Sequence, residues 1–267
     1  MIFSRNGFGD AGTVAMECVE YYEGAPLSYM TSTAVTRLRE LAAVVPVVPA
    51  TTRTIEQFQR ITLPGAPWRY AVTSNGGNIL VDGIPDPAWR VAIDDQVNAT
   101  GATLAQVGAE LRTRIDQTWV SKYREADELF CYLVVRPESV PTGFLAEWDA
   151  WCRTHGWSAS QQGRKIYTMP DAVCKSLAIA EVRRRLVDSG ALRSTAALFT
   201  AGDGALDAEM LLAADAAIRP RHGELEDLGF TAPNLTITAA TGILAGVEIL
   251  DWFHTAAHPV LTVGEPA

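Results

Sequence analysis

Four short apolar runs in this chain break off in polar residues. "VPVVPATTR" stops at Thr51-Thr52-Arg53, "RYAVTSNGG" at Ser74-Asn75-Gly76, "STAALFTAGD" at Asp203, and "DAAIRP" at Arg219. An apolar run of this length bounded by turn residues reads as a buried strand. Strands alternate with segments of helical spacing at both ends of the chain, which predicts an α/β fold with a parallel sheet. In such sheets ligands bind beyond the carboxyl ends of the strands. The four polar stops are therefore expected on one rim. Pro46 and Pro49 argue against a central position for the first run.

The rest of the chain fills in around that sheet. "ECVEYYEGAPLSYMT" reads as two strands about a Gly-Ala-Pro turn, and "STAVTRLRELAAV" as a helix with a serine cap. Helices are expected from about residue 82 to 120. The strand "LFCYLVVRPES", the helix "TGFLAEWDAWCRTHG" and the hairpin "WSASQQGRKIYTMP", turning at Gln162-Gly163, come next. This block is α+β, unlike its flanks.

The stretch "LFTAGDGALDAEML" places Asp203 and Asp207 where a buried strand ends. Unpaired carboxylates there would repel each other and resist desolvation, so a hard cation such as Mg²⁺ is one reading. An ordinary helix start, with Asp203 as the cap, is the other. Lys175 opens the helix before this strand, and Thr51 ends another strand. Hydroxyl, lysine and carboxylate on one rim make a phosphate-plus-metal constellation.

Bulk properties exclude several classes. A chain of 267 residues can hold one large domain, or a core with an insert. A net charge of −9 argues against nonspecific nucleic-acid binding and against anionic membranes. No run of 18 apolar residues and no leader-like start are visible, so a cytoplasmic protein is expected. Cys18, Cys131, Cys152 and Cys174 lack CxxC spacing and read as free thiols. His254 and His258 are spaced as on one helix face and read as an exposed helix end rather than a zinc site.

Taken in order, "PATTR", "AVTSNGG", "AVCKSLAI" and "TAGDGALDAEML" resemble the haloacid dehalogenase superfamily, in its sucrose-phosphate-phosphatase-like and Cof-like branch. The resemblance spans essentially the whole chain. It implies a three-layer Rossmannoid core from residues 1–81 and 169–267, with a C2-type cap at 82–168. It implies Thr51 and Lys175 as catalytic groups that hold the phosphoryl oxygens, and Asp203 and Asp207 as Mg²⁺ ligands. Thr52, Arg53, Asn75, Gly76, Arg164 and Lys165 become substrate-binding candidates, with Gln161 and Gln162 beside the last two.

The family also needs a DxDxT motif on its first, central strand, where one Asp attacks phosphorus and the second moves protons. This chain has none. Asp10-Ala11-Gly12-Thr13 lacks the second acid and is preceded by no apolar run. "Met1-Ile2-Phe3-Ser4" matches the residues that come directly after the motif in this branch. The expectation is therefore a core lacking its first strand, with the nucleophile encoded upstream of Met1. The implied function is a Mg²⁺-dependent phosphatase of a small phosphorylated metabolite, such as a sugar or polyol phosphate. The chain without the motif is expected to be inactive. The alternative is a catalytically inactive protein of the same fold that binds a phosphorylated ligand in a regulatory role.

Overall fold

The computed structural model describes residues 2–4 and 13–261, the last four through their backbone only. The chain opens with an antiparallel flap: β1 (Phe3–Ser4), β2 (Met16–Tyr22) and β3 (Ala25–Thr31), in the order β1-β3-β2. The β2–β3 turn is Glu23-Gly24, with φ of 50° and 77°. Two left-handed residues are what a two-residue hairpin loop requires, so the turn precedes the expected Gly-Ala-Pro site and Pro26 lies within β3. Helix α1 (Ser32–Ala42) is capped by Thr31, whose hydroxyl accepts from the Ala34 N–H; the expected serine sits one residue inside.

Residues 45–50 then run extended beside β4 (Tyr70–Thr73), joined by one parallel bridge between Ala50 and Val72. Val48 and Ala50 pack into one apolar cluster, while Val45 and Val47 pack into another on the opposite side. That alternation marks an extended segment half-buried on both faces. Proline at 46 and 49 removes two ladder donors, which limits the pairing. Helix α2 (Ile55–Gln59) starts in a capping box of Thr54 and Gln57. After β4 come β5 (Asn78–Val81) and β6 (Ile84–Pro85), an antiparallel extension that turns at Asp82-Gly83 and lies outside the expected strands.

The inserted block comprises α3 (Pro87–Thr100), α4 (Leu104–Thr113), β7 (Val120–Ala126), β8 (Phe130–Val135), α5 (Phe144–Arg153), β9 (Trp157–Gln162) and β10 (Lys165–Pro170). Its strands form one antiparallel sheet, β7-β8-β10-β9. Trp119, Trp148 and Trp157 are buried in its core. The β7–β8 turn clasps the rest of the molecule. Asp127 there accepts from the Ile55 N–H at 3.1 Å, from Asn78 Nδ2 at 3.4 Å and from the Ser74 hydroxyl.

The chain returns through α6 (Lys175–Asp188), β11 (Phe199–Ala201), α7 (Ala208–Leu212), β12 (Ala216–Arg219), α8 (Glu224–Asp227), β13 (Leu235–Ile237) and α9 (Ala245–Leu261). Strands β11, β12 and β13 form a parallel sheet in that order. Strand β11 is its edge, and among the described residues no ladder joins β11 to segment 45–50. Between them lies a cavity of about 1280 Å³. Segment 45–51 lines one flank and residues 198–203 the other. Ile179 and Val182 of α6 close one side, and Leu38 of α1 with Leu250 of α9 the other. Ile2 and Phe3 also line it. The cavity is a slot between two extended segments that are not paired with each other.

Among the described residues no helix is long and apolar enough to cross a membrane. The four cysteines are free thiols. His254 Nε2 is 2.9 Å from the Arg37 carbonyl oxygen, and the side chain of His258 lies outside the described residues.

Candidate active site

The carboxyl end of the slot collects Thr51, Lys175 and Asp203. Lys175 is the first residue of α6, and its place is fixed from behind by Asn75-Gly76. Gly76 has φ of 103°, and a side-chain carbon there would stand 2.2 Å from the Cys174 carbonyl oxygen and 3.0 Å from the Lys175 nitrogen. Only glycine allows that approach. Asn75, itself at φ 58°, donates from Nδ2 to the Val173 carbonyl at 2.9 Å. Both residues are buried and neither lines the cavity. They brace the peptide in front of Lys175.

Lys175 donates to Asp207 Oδ1 in a buried ion pair. The other oxygen of Asp207 accepts the N–H groups of Asp203 and Gly204, each at 3.0 Å. A side-chain carbon at Gly202 would come within 2.4 Å of Asp207 Cβ, so the strand end is folded tightly over this carboxylate. Both oxygens of Asp207 are thus engaged, and Asp203 is the acid left open.

The Thr51 hydroxyl accepts from the Arg53 N–H at 3.1 Å, which leaves its proton free to donate. The Arg53 guanidinium reaches Glu20 Oε1 at 2.7 Å, and Arg60 approaches the same oxygen at 3.6 Å. Glu20 is fully buried and also accepts from Ser28 at 2.5 Å. Burial alone would raise its carboxyl. Hydrogen bonds from Arg53 and Ser28, with the charges of Arg53 and Arg60, outweigh that and hold it below the ordinary range. Glu20 escapes the sequence reading because β2 is irregular between Cys18 and Tyr21, which spoils the simple alternation of faces.

The sequence places Mg²⁺ at Asp203 and Asp207. Among the described residues, no three His, Cys, Asp or Glu side chains converge closely enough to hold a metal ion. Asp207 is committed to Lys175 and the loop. Glu224 lies near, its carboxyl raised by burial and by the charges of Asp203 and Asp207, while it accepts from the Ala205 N–H at 2.8 Å. These are hard oxygen donors of the kind Mg²⁺ prefers. By themselves they do not form its site. Of Asp10-Ala11-Gly12-Thr13, the first three lie outside the described residues.

The inserted block covers the cavity mouth with Gln162, Lys165 and Tyr167. Lys165 and Tyr167 are two apart on β10 and share a face. Burial raises the Tyr167 hydroxyl, against the nearby Thr52 side chain and the charges of Lys175 and Arg53. Tyr167 and Glu224 are site residues that the sequence pattern does not single out. Arg164 sits exposed in the hairpin turn and Gln161 folds back on Gly163, so neither faces the cavity.

No family model matches this sequence, and no curated protein matches it either. Solved structures do. The sucrose-phosphatase from Synechocystis sp. PCC6803, in complex with sucrose and phosphate, superposes with a TM-score of 0.59 at 13% identity, over 82% of this chain and 92% of that one. A trehalose-6-phosphate phosphatase related protein gives 0.53 at 15%, over 85% and 89%. A haloacid dehalogenase-like hydrolase from B. subtilis gives 0.51 at 16%, over 83% and 93%. At such identities the likeness is one of architecture: the chain has the haloacid dehalogenase-like α/β fold, a parallel core bearing an inserted α+β cap.

Proposed function

We propose that this chain is the phosphoryl-binding part of a haloacid dehalogenase-type phosphatase that acts on a small phosphorylated metabolite, with sugar and polyol phosphates as first candidates. The observation that supports it best is the slot between segment 45–50 and β11, with Lys175, Thr51 and Asp203 at its carboxyl end. A strand in that slot would satisfy the open edges on both flanks. Its last residues would emerge beside Lys175. We place the attacking aspartate on such a strand, encoded upstream of Met1 in the same reading frame.

Each residue present has a part in that chemistry. Lys175, oriented by Asp207, neutralises phosphoryl oxygens, and the Thr51 proton donates to one of them. Asp203 contributes one carboxylate to a Mg²⁺ site that the added strand would have to complete. Tyr167 and the cap hairpin exclude water from the leaving group. A second reading, a binding protein without turnover, is favoured by the lack of a complete metal-ligand group among the described residues.

The test is to express the chain with and without the in-frame upstream residues and to assay both on sugar phosphates with Mg²⁺. The long form is expected to turn over at least one substrate, EDTA to abolish this, and Asp203→Asn to remove most of it. The short form is expected to be inert. Equal turnover by both would place the nucleophile within residues 1–267. No turnover by either, with phosphate still bound, would establish the binding protein.

A further inference from the structure

Among the described residues, Lys165 is the one charged cap residue lining the cavity. Its ammonium sits 5.0 Å from the Tyr132 ring centre and 5.8 Å from that of Tyr167. Among the described residues it has no carboxylate partner. Burial pushes it down from its ordinary value, and the charge of Arg53 adds to that. Arg53 and Arg60 also line the cavity, and both pair with acids, Arg53 with the buried Glu20 and Arg60 with Glu20 and Glu56. Of these three cations Lys165 is the one without an acid partner among the described residues. A half-buried ammonium left unpaired beside a second cation is costly to the fold. The two tyrosine faces attract the ammonium but supply no counter-charge. Such uncompensated charge in a cleft marks a functional group.

Position gives the charge its meaning. Tyr167 lies near Thr52 and in the field of Lys175, next to the phosphoryl position. Lys165 is one pleat repeat further along β10, about 7 Å away. Resting on the phosphatase reading for the place of the phosphoryl group, we propose that the substrate carries a second anionic group, a carboxylate or a second phosphate, that pairs with Lys165 in the field of Arg53. Within the small phosphorylated metabolites the substrate class is then narrowed to those that carry a second acid, such as a sugar-acid phosphate or a sugar bisphosphate.

The test is calorimetric titration of the 267-residue chain with inorganic phosphate, glycerol 3-phosphate, 3-phosphoglycerate and a short-chain bisphosphate. The bisanionic ligands are expected to bind at least about tenfold more tightly than glycerol 3-phosphate, the effect of one charge-assisted contact. Lys165→Met should close that gap and Lys165→Arg should keep it, with circular dichroism confirming the fold of each. Carboxylate against bisphosphate identifies which anion is used. A gap of less than twofold, or one unchanged in Lys165→Met, overturns the second-anion subsite while leaving the phosphatase reading intact. Phosphate affinity that is absent, or indifferent to Lys175→Met, overturns the phosphatase reading and this inference with it.

Discussion

Lys175 and Asp207, 32 residues apart in sequence, meet in an ion pair whose side chains are only 6% and 9% exposed. Removing one partner of such a pair strands the other charge and costs roughly 3–5 kcal/mol. Asp207→Asn is expected to lower the unfolding free energy in urea by about that much, whereas Lys175→Met with Asp207→Asn should recover part of the loss. A double-mutant cycle should give a coupling above about 2 kcal/mol. Coupling near zero would mean that the pair is not formed in solution.

Gly76→Ala should be costlier than its size suggests. The left-handed backbone alone costs about 1–2 kcal/mol with a side chain present, and the added carbon would collide with the carbonyl before Lys175. Thermal unfolding and phosphate titration should both worsen, because relief of the collision displaces the start of α6. Loss of stability with unchanged phosphate affinity would show that Lys175 is positioned by other contacts.

How much of the fold and site can be read from the sequence depends on where each signal is stored. Thr51, Lys175 and Asp203 are legible because each ends or opens an element whose apolar run is local in the chain. β7 is not: it reads "VSKYREA" and presents mostly exposed polar residues, so no apolar run announces it. β13 is three residues long and lies in a stretch rich in threonine and alanine. The bracing work of Asn75 and Gly76 is hidden because their partners, Val173 and Cys174, are about a hundred residues away. Asp207 reads as a second metal ligand because spacing cannot tell a carboxylate facing a cation from one facing a lysine.

Glu20 ties the stability of the fold to acid pH. Its folded value lies below the ordinary 4.5, so its stabilisation is full above that pH and is lost as pH falls through the lowered value. Urea midpoints measured from about pH 6 to pH 3 should fall more steeply for the parent chain than for Glu20→Gln. The variant should be less stable at neutral pH, since Arg53 and Arg60 lose their shared acid. Parallel profiles would show that the cluster does not titrate with folding.

The slot predicts a spectroscopic difference between two lengths of the protein. The 267-residue chain should bind a hydrophobic dye such as ANS in its apolar cavity, with enhanced fluorescence. The form extended upstream should bind far less and melt at a higher temperature, because burying apolar surface stabilises the fold. Equal dye fluorescence in the two forms would mean that the added residues do not enter the sheet.

The Asp127 clasp sets a lever. It lies at the end of the cap sheet where β8 begins with Phe130, near the end of β10 at Pro170, where the chain re-enters the core. Lys165 lies at the opposite end, paired with Val134. The arm between pivot and tip is about 17 Å, so each degree of cap rotation carries Lys165 through about 0.3 Å. The pivot can be stiff and still let the tip travel by the width of a hydrogen bond. Small changes in the packing of Ser74, Asn78 and Ile55 around one carboxylate would thereby be magnified where Lys165 lines the cavity.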